Sequence, residues 1–385
     1  MRALHIYAGP RARAALASNG LQPGQIRTIP GAAGGPKGLI LGPLDRFIFG
    51  NWLAQSQQPV DLVGASIGAW RMASACLNDP VAAFARLEHD YIHQHYELAP
   101  GQKRVSAEQV SETFGHSLQA FYGGRVPEVL QHPRFRLHIV TSRGRHVLRT
   151  EHGLRTPLGY LGAFLTNAVH RKAMGAWLER VVFSTPHLVP GAVCAPLPFA
   201  VGDYRTRQVA LSEANFNPAL QASCSIPFVL KAIHSIPGAP PGAYWDGGIT
   251  DYHLHLNYSG ARDATKTEAN GAHSMGTASG FGTDGLVLYP HFQKNVVPGW
   301  LDKGLKWRHG ATAFLDTMVL LAPNPEWVKT LPNGKLPDRK DFTYYGNDLA
   351  GRVKAWTAAT RASQQMVDEF IAWLDRPDMN LVHPL

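Results

Sequence analysis

The residues best suited to chemistry lie in Gly64-Ala65-Ser66-Ile67-Gly68, a G-x-S-x-G whose small neighbours leave a serine hydroxyl free to act as a nucleophile. Its flanks supply the setting. Val60 to Val63 is apolar and β-branched, as a buried strand is, and Ala69 to Leu77 has the composition of a helix. Strand, tight turn and helix together make the context of a nucleophile elbow. Gly64 and Gly68 give a strained turn its room, and a helix N-terminus favours negative charge developing nearby. The plain alternative is a glycine-rich strand-to-helix turn.

About thirty residues upstream lies the most glycine-dense loop of the chain, Gly31-Ala32-Ala33-Gly34-Gly35-Pro36-Lys37-Gly38. It lacks the G-x-G-x-x-G spacing of a dinucleotide fingerprint. Lys37 is followed by Gly38 and Leu39, where a P-loop has Ser or Thr. Two readings stay open. One is an oxyanion hole, whose backbone N–H groups a glycine lets close to a tetrahedral intermediate. The other is a structural turn. Far downstream, an aromatic strand end, Ala243 to Asp246, delivers an aspartate into Gly247-Gly248, although Asp-Gly alone is an ordinary turn signal. Gln221 to Phe228 is a small-residue helix end stopped by Pro227. His89 and His93 share a helix face, but Asp90 stands where a zinc-protease helix carries Glu, so no metal and no cofactor is expected.

The elements around these residues alternate. Strand-like Gln25 to Ile29 runs through the glycine loop into Leu39 to Gln55, which has helical spacing, and then into the strand before Ser66. Helical patterns follow over Pro80 to Tyr96, Ser106 to Leu130 and Pro157 to Val181. Strand patterns cover Phe135 to Ser142, Gln208 to Ser212, Leu286 to Tyr289 and a last one at Asp316 to Ala322. Asp348 to Leu374 reads as one long amphipathic helix. The β-loop-α-β-turn-α order predicts an α/β sheet with helices on its faces. Tyr258 to Gly285, rich in Gly, Ala, Ser, Thr and Asn, reads as a flexible insertion or lid.

Hydrophobic residues make up 45% and charged ones 17%, the balance of a globular chain. The net charge of +9 invites an anionic partner. Lys and Arg are scattered, with no block that would read as a nucleic-acid arm, so no nucleic acid is expected. Peripheral contact with an anionic membrane surface remains. Val296 to His309 mixes tryptophan with basic residues, which fits a membrane interface or ordinary partly buried tryptophans. Cys76, Cys194 and Cys224 show no C-x-x-C spacing and fit a reducing compartment. Met1 to Pro10 is too interrupted for a signal-peptide core, and no apolar run approaches the roughly 18 residues that span a bilayer. A cytoplasmic protein that touches membranes from outside is the expectation; oligomeric state is not legible.

Taken in order, the three motifs resemble the patatin-like phospholipase family. Gly34-Gly35-Pro36-Lys37-Gly38 looks like its G-G-x-[RK]-G oxyanion loop, Gly64 to Gly68 like its nucleophile elbow, and Asp246-Gly247-Gly248 like its D-G-[GA] motif. Ala222 to Phe228 resembles the Ala/Ser-rich stretch, ending in proline, before its catalytic aspartate. The loop departs from the family in opening with Gly31-Ala32-Ala33 in place of a longer glycine run.

The resemblance implies a patatin-like three-layer α/β/α domain over 25–325 with a central, mostly parallel sheet. Residues 1–24 would be an N-terminal extension, 258–285 the insertion, and 326–385 a helical C-terminal extension without assignable motif. It implies a Ser66–Asp246 dyad with no catalytic histidine, acting on carboxylic esters of phospholipids or related acyl lipids. Gly34, Gly35, Lys37 and Gly38 would form the oxyanion hole, since Pro36 has no N–H to give. The competing readings are an α/β-hydrolase triad drawing on a downstream histidine such as His291 or His309, and a non-hydrolytic lipid-binding protein on the same fold. A third is acyl transfer to an acceptor other than water.

Overall fold

In a computed structural model of the chain, residues 1–96, 102, 105–186, 194–259 and 285–385 are described. Most of the expected insertion at 258–285 therefore lies outside the described residues.

Ten strands form one sheet: β1 (Leu4–Ala8), β2 (Ile26–Gly31), β3 (Val60–Ala65), β4 (Phe135–Gly144), β5 (Leu178–Ser184), β6 (Thr206–Ala210), β7 (Tyr244–Asp246), β8 (Leu286–Pro290), β9 (Met318–Pro323) and β10 (Val382–Pro384). Their order is β10-β1-β9-β8-β2-β3-β4-β5-β6, with β7 paired to β4 beyond the end of β3. Only β1/β9, β4/β5 and β4/β7 are antiparallel. The fold is thus α/β around a mostly parallel sheet. β3, β5, β8 and β9 are buried along their whole length; β8 and β9 accordingly read as continuous apolar runs, whereas β3 and β5 bury Asp61, Glu179 and Arg180 in ion pairs.

Several elements differ from expectation. The stretch 157–181 is not one helix: helix Arg155–Val169 stops, and Leu178–Ser184, with Val181, Val182 and Phe183, becomes β5. Leu39 to Gln55 is helical but irregular. A 3-10 stretch Gly35–Leu41, an α-helix Gly42–Phe47 and a π turn Ile48–Trp52 follow one another, as Gly42-Pro43 and Gly50 disturb regular i to i+4 bonding. The long C-terminal helix divides at Ser363 into Leu349–Ala362 and Gln364–Asp375. β9 is the last buried strand, as expected; beyond it a short, mostly exposed strand, Val382–Pro384, returns to pair in parallel with β1. Residues 1–24 and 326–385 thereby add β1 and β10 to the sheet that carries the site.

Among the described residues no helix is long and apolar enough to cross a membrane. The three cysteines are free thiols.

Candidate active site

β3 ends at Ala65, and the chain enters helix Ile67–Ala75 through Ser66, whose backbone is held at φ 57°, ψ −130°. A non-glycine residue in that region is strained, and it persists only where the surroundings dictate it. Here they do. A Cβ on Gly68 would lie 1.8 Å from the Gly31 carbonyl oxygen, and one on Gly64 would lie 2.4 Å from Ala69 Cα. Gly68 lets the glycine loop lie backbone to backbone on the start of the helix, and Gly64 lets that helix turn back tightly on the end of β3. The Ser66 N–H donates to Ser223 Oγ at 3.0 Å, and the Ser223 hydroxyl donates to the Val140 carbonyl at 2.7 Å. Helix Glu213–Cys224 thus pins the turn from the other side.

Strand pairing brings the aspartate to the serine. Ala65 on β3 lies opposite Val140 on β4, and the next β4 residue, Thr141, lies opposite Asp246 on β7. Ser66 Oγ donates to Asp246 Oδ2 at 2.6 Å, with the two residues only 4% and 6% exposed. Asp246 Oδ1 accepts the Gly248 N–H at 2.7 Å. Burial pushes the Asp246 carboxyl above its ordinary range, against the Ser66 hydrogen bond, the Arg339 charge, the Gly248 N–H and Lys303. A carboxylate of raised pKa is a better proton acceptor than a surface one. Just beyond the turn, Arg180 makes a buried bidentate pair with Asp251 at 2.7 and 2.6 Å. Burial alone would raise the Asp251 carboxyl, but Arg180 holds it below its ordinary value and fixes the segment after Asp246.

The third part is the glycine loop. Helical turn begins at Gly35, whose φ is +58°, and not near Leu39 as expected. The N–H groups of Lys37 and Gly38 fall inside the 3-10 turns, where i to i+3 bonding uses them. Those of Gly34 and Gly35 meet no acceptor among the described residues. Ala33 N–H donates to the Tyr252 carbonyl at 2.9 Å, tying the loop to the segment that follows Gly247-Gly248.

Ser66, Asp246, Gly34 and Gly248 line one cleft of about 200 Å³. Its far wall comes from Ile226 and Pro227, from Tyr252 and Trp300, and from residues 338–340 of the C-terminal segment. Lys37, Lys303 and Arg339 all face this space, and none has a described carboxylate within ion-pair distance. The Lys303 ammonium sits 3.9 Å over the Tyr252 ring, which shields it from water. That desolvation, with the charges of Arg339 and Lys37, pushes it down to about 8, although Asp246 pulls the other way. Burial likewise lowers Lys37. With Lys340, four cations line the cleft against the carboxylates of Asp246 and Asp338, an excess of positive charge that favours an anionic occupant.

The two histidines weighed for a triad are engaged elsewhere. His291 is fully buried, bonded through Nδ1 to the backbone of Gln293, and burial pushes it down to about 3. His309 bonds the Asp302 carbonyl at 2.9 Å. His89 and His93 stack at 4.2 Å on one helix face, and no group of three potential metal ligands gathers among the described residues.

Of the residues singled out in the sequence, the structure brings together Ser66, Asp246, Gly34, Gly35, Lys37, Gly64, Gly68, Gly247 and Gly248; Gly38 packs behind them against Ile67 and Arg71. It adds Ser223, Lys303 and Arg339. Ser223 had a signal in the small-residue run 222–225, and Lys303 lies in the tryptophan-rich basic stretch 296–309, which pointed to a membrane interface and not to this cleft; Arg339 lies in a stretch without motif.

Comparison of the chain with protein-family models, with curated proteins and with solved structures gives no match.

Proposed function

We propose that this chain is a serine acyl hydrolase of the patatin-like kind, with a three-layer α/β/α fold, that cleaves carboxylic esters of phospholipids or related acyl lipids. The observation that carries the reading is the 2.6 Å hydrogen bond from Ser66 Oγ to Asp246 Oδ2 on a strained strand-to-helix turn. Ser66 attacks the ester carbonyl while its proton passes to Asp246 Oδ2. The oxyanion forms against the free N–H groups of Gly34 and Gly35, each worth about 3 kcal/mol to such a transition state. Collapse expels the alcohol, which takes the proton from Asp246, and leaves the acyl group esterified to Ser66. Water then gives a proton to Asp246 as its oxygen attacks the acyl carbonyl. Ser66 recovers the proton when the acid departs.

Two features favour this reading over the alternatives. His291 and His309 are bonded to backbone groups away from Ser66, which speaks against a histidine triad. The cations Lys37, Lys303 and Arg339 suit an ester that carries a phosphate nearby.

The test is fluorophosphonate labelling with parallel hydrolysis of short and long p-nitrophenyl esters. Wild type should label and turn over, while Ser66→Ala and Asp246→Asn remain folded and inactive. A folded wild type that neither labels nor hydrolyses any ester overturns the proposal.

A further inference from the structure

Helix Arg155–Val169 is apolar on both faces. Its inner face, with Tyr160 and Ala163, closes a small core around Trp245, Met174 and Leu178. The outer face should then be polar in a helix that ends its packing there. It is not. Leu154, Leu158, Leu161, Leu165 and Val169 recur at helical spacing and are 53% to 86% exposed, with Phe164 beside them. Side chains of this size, contiguous on one helix face and left in water, mark an interaction surface and not scattered surface hydrophobics.

A further exposed apolar side chain stands between the helix and the cleft. Phe228, 61% exposed, lies at the helix edge with its ring 6.1 Å from that of the inner-face Tyr160. Ile226 and Pro227, immediately before it, line the wall facing Ser66. At the other end, Arg308 donates to the Ala168 carbonyl, which sets the 73% exposed Trp307 beside the end of the helix. The flanks are basic. Between 145 and 172 stand Arg145, Arg149, Arg155, Arg171 and Lys172 against Glu151 alone, and Glu151 is engaged by Lys231. Arg149, Arg155 and Lys172 are exposed and make no ion pair with a described residue.

We infer that this face docks on an anionic lipid surface, with the helix lying in the plane of the interface and the catalytic cleft opening toward it. An apolar helix face bordered by arginine, lysine and tryptophan is the composition that binds where acyl chains meet anionic headgroups. Association with a second copy is disfavoured by the same flanks, because it would bring Arg149, Arg155 and Lys172 of two +9 chains together. Docking itself does not depend on the reaction. Its use, delivery of acyl lipid to Ser66, rests on the acyl-hydrolase reading.

The experiment is co-sedimentation of the full chain with phosphatidylcholine vesicles and with equimolar phosphatidylcholine–phosphatidylserine vesicles. Four proteins are compared: wild type, Ser66→Ala, the triple variant Leu158→Ser/Leu161→Ser/Leu165→Ser, and Arg149→Gln/Lys172→Gln. Wild type and Ser66→Ala should bind the anionic vesicles equally. The triple variant should bind them at least about tenfold more weakly, with unchanged thermal unfolding and unchanged turnover of a water-soluble ester. The double variant should lose most of the preference for anionic over neutral vesicles. Failure of wild type to bind vesicles, or equal binding by a folded triple variant, overturns the inference. A wild-type dimer that the triple variant dissolves, without vesicle binding, overturns it in favour of a second copy. Vesicle binding by a protein that hydrolyses no ester would leave docking intact and remove the hydrolase reading instead.

Discussion

Ser223 Oγ accepts the backbone N–H of Ser66 at 3.0 Å while its own hydrogen goes to the Val140 carbonyl at 2.7 Å. One buried hydroxyl therefore couples the strained serine turn to β4, the strand that also carries Asp246 through its pairing with β7. It also uses up the Ser66 N–H, so in the proposed reaction stabilisation of an oxyanion would fall to the amides of the glycine loop.

Replacing Ser223 with alanine strands two buried backbone groups at once. The expected cost is about 1–3 kcal/mol of stability, since an unsatisfied buried group loses its full desolvation penalty. Ester turnover should fall through kcat, with KM little changed, because the hydroxyl orients the nucleophile and touches no substrate. Urea unfolding beside steady-state kinetics measures both. Wild-type kcat in a folded variant would show that Ser66 needs no such restraint.

Asp246 predicts a pH dependence of both rate and stability. Its pKa is raised in the folded state above the ordinary 3.8, chiefly by burial. Turnover should therefore rise with pH through a value above the usual carboxylate range, as the base ionises. For stability the sign is reversed. The native state holds this proton more tightly than the unfolded chain, so the contribution of Asp246 is most favourable below 3.8 and is lost as pH rises through the folded value. Asp246→Asn should be inactive yet melt higher than wild type at neutral pH. Calorimetry of the pair checks this, and a lower melting point for the variant contradicts it.

The cationic wall should discriminate by charge. Lys303 sits down near 8, so it loses its proton above that pH and the cleft loses one of its four positive charges. KM for a phosphate-bearing ester should climb between neutral and mildly alkaline pH, while KM for a neutral ester stays level. Lys303→Met should raise KM for the anionic ester about tenfold at neutral pH and flatten its pH dependence. Parallel KM profiles for the two esters would remove the wall from substrate recognition.

Gly68 is where the fold and the site meet most closely. An alanine there puts its Cβ 1.8 Å from the Gly31 carbonyl oxygen, against backbone that has no flexible side chain to yield. The expected cost is about 3 kcal/mol, at the upper end for overpacking, with loss of esterase activity even where the variant still folds. Gly50→Ala meets only the tip of the Val81 side chain and should be far milder. Thermal melts of the two variants make the comparison.

Much of the site was legible in the residues. A β-branched run, a small-residue turn and a helix specify a strand-turn-helix locally, and the glycine spacing around Ser66 follows from how tight that turn must be. The glycine loop and Asp246-Gly247-Gly248 are legible for the same reason, since each is a local demand on the backbone. What sequence alone did not carry is non-local. Asp246 lies 180 residues from Ser66, and their meeting depends on β4, which sets Val140 opposite Ala65 and Thr141 opposite Asp246. Nothing in the sequence places Lys303, from the tryptophan-rich basic stretch 296–309, or Arg339 beside Ser66, because a charge is placed by the packing of its segment and not by a pattern of neighbours. The helix 155–169 shows the same limit. Its sequence reads as an apolar helical pattern, and only the tertiary structure reveals that one face of it meets no partner among the described residues.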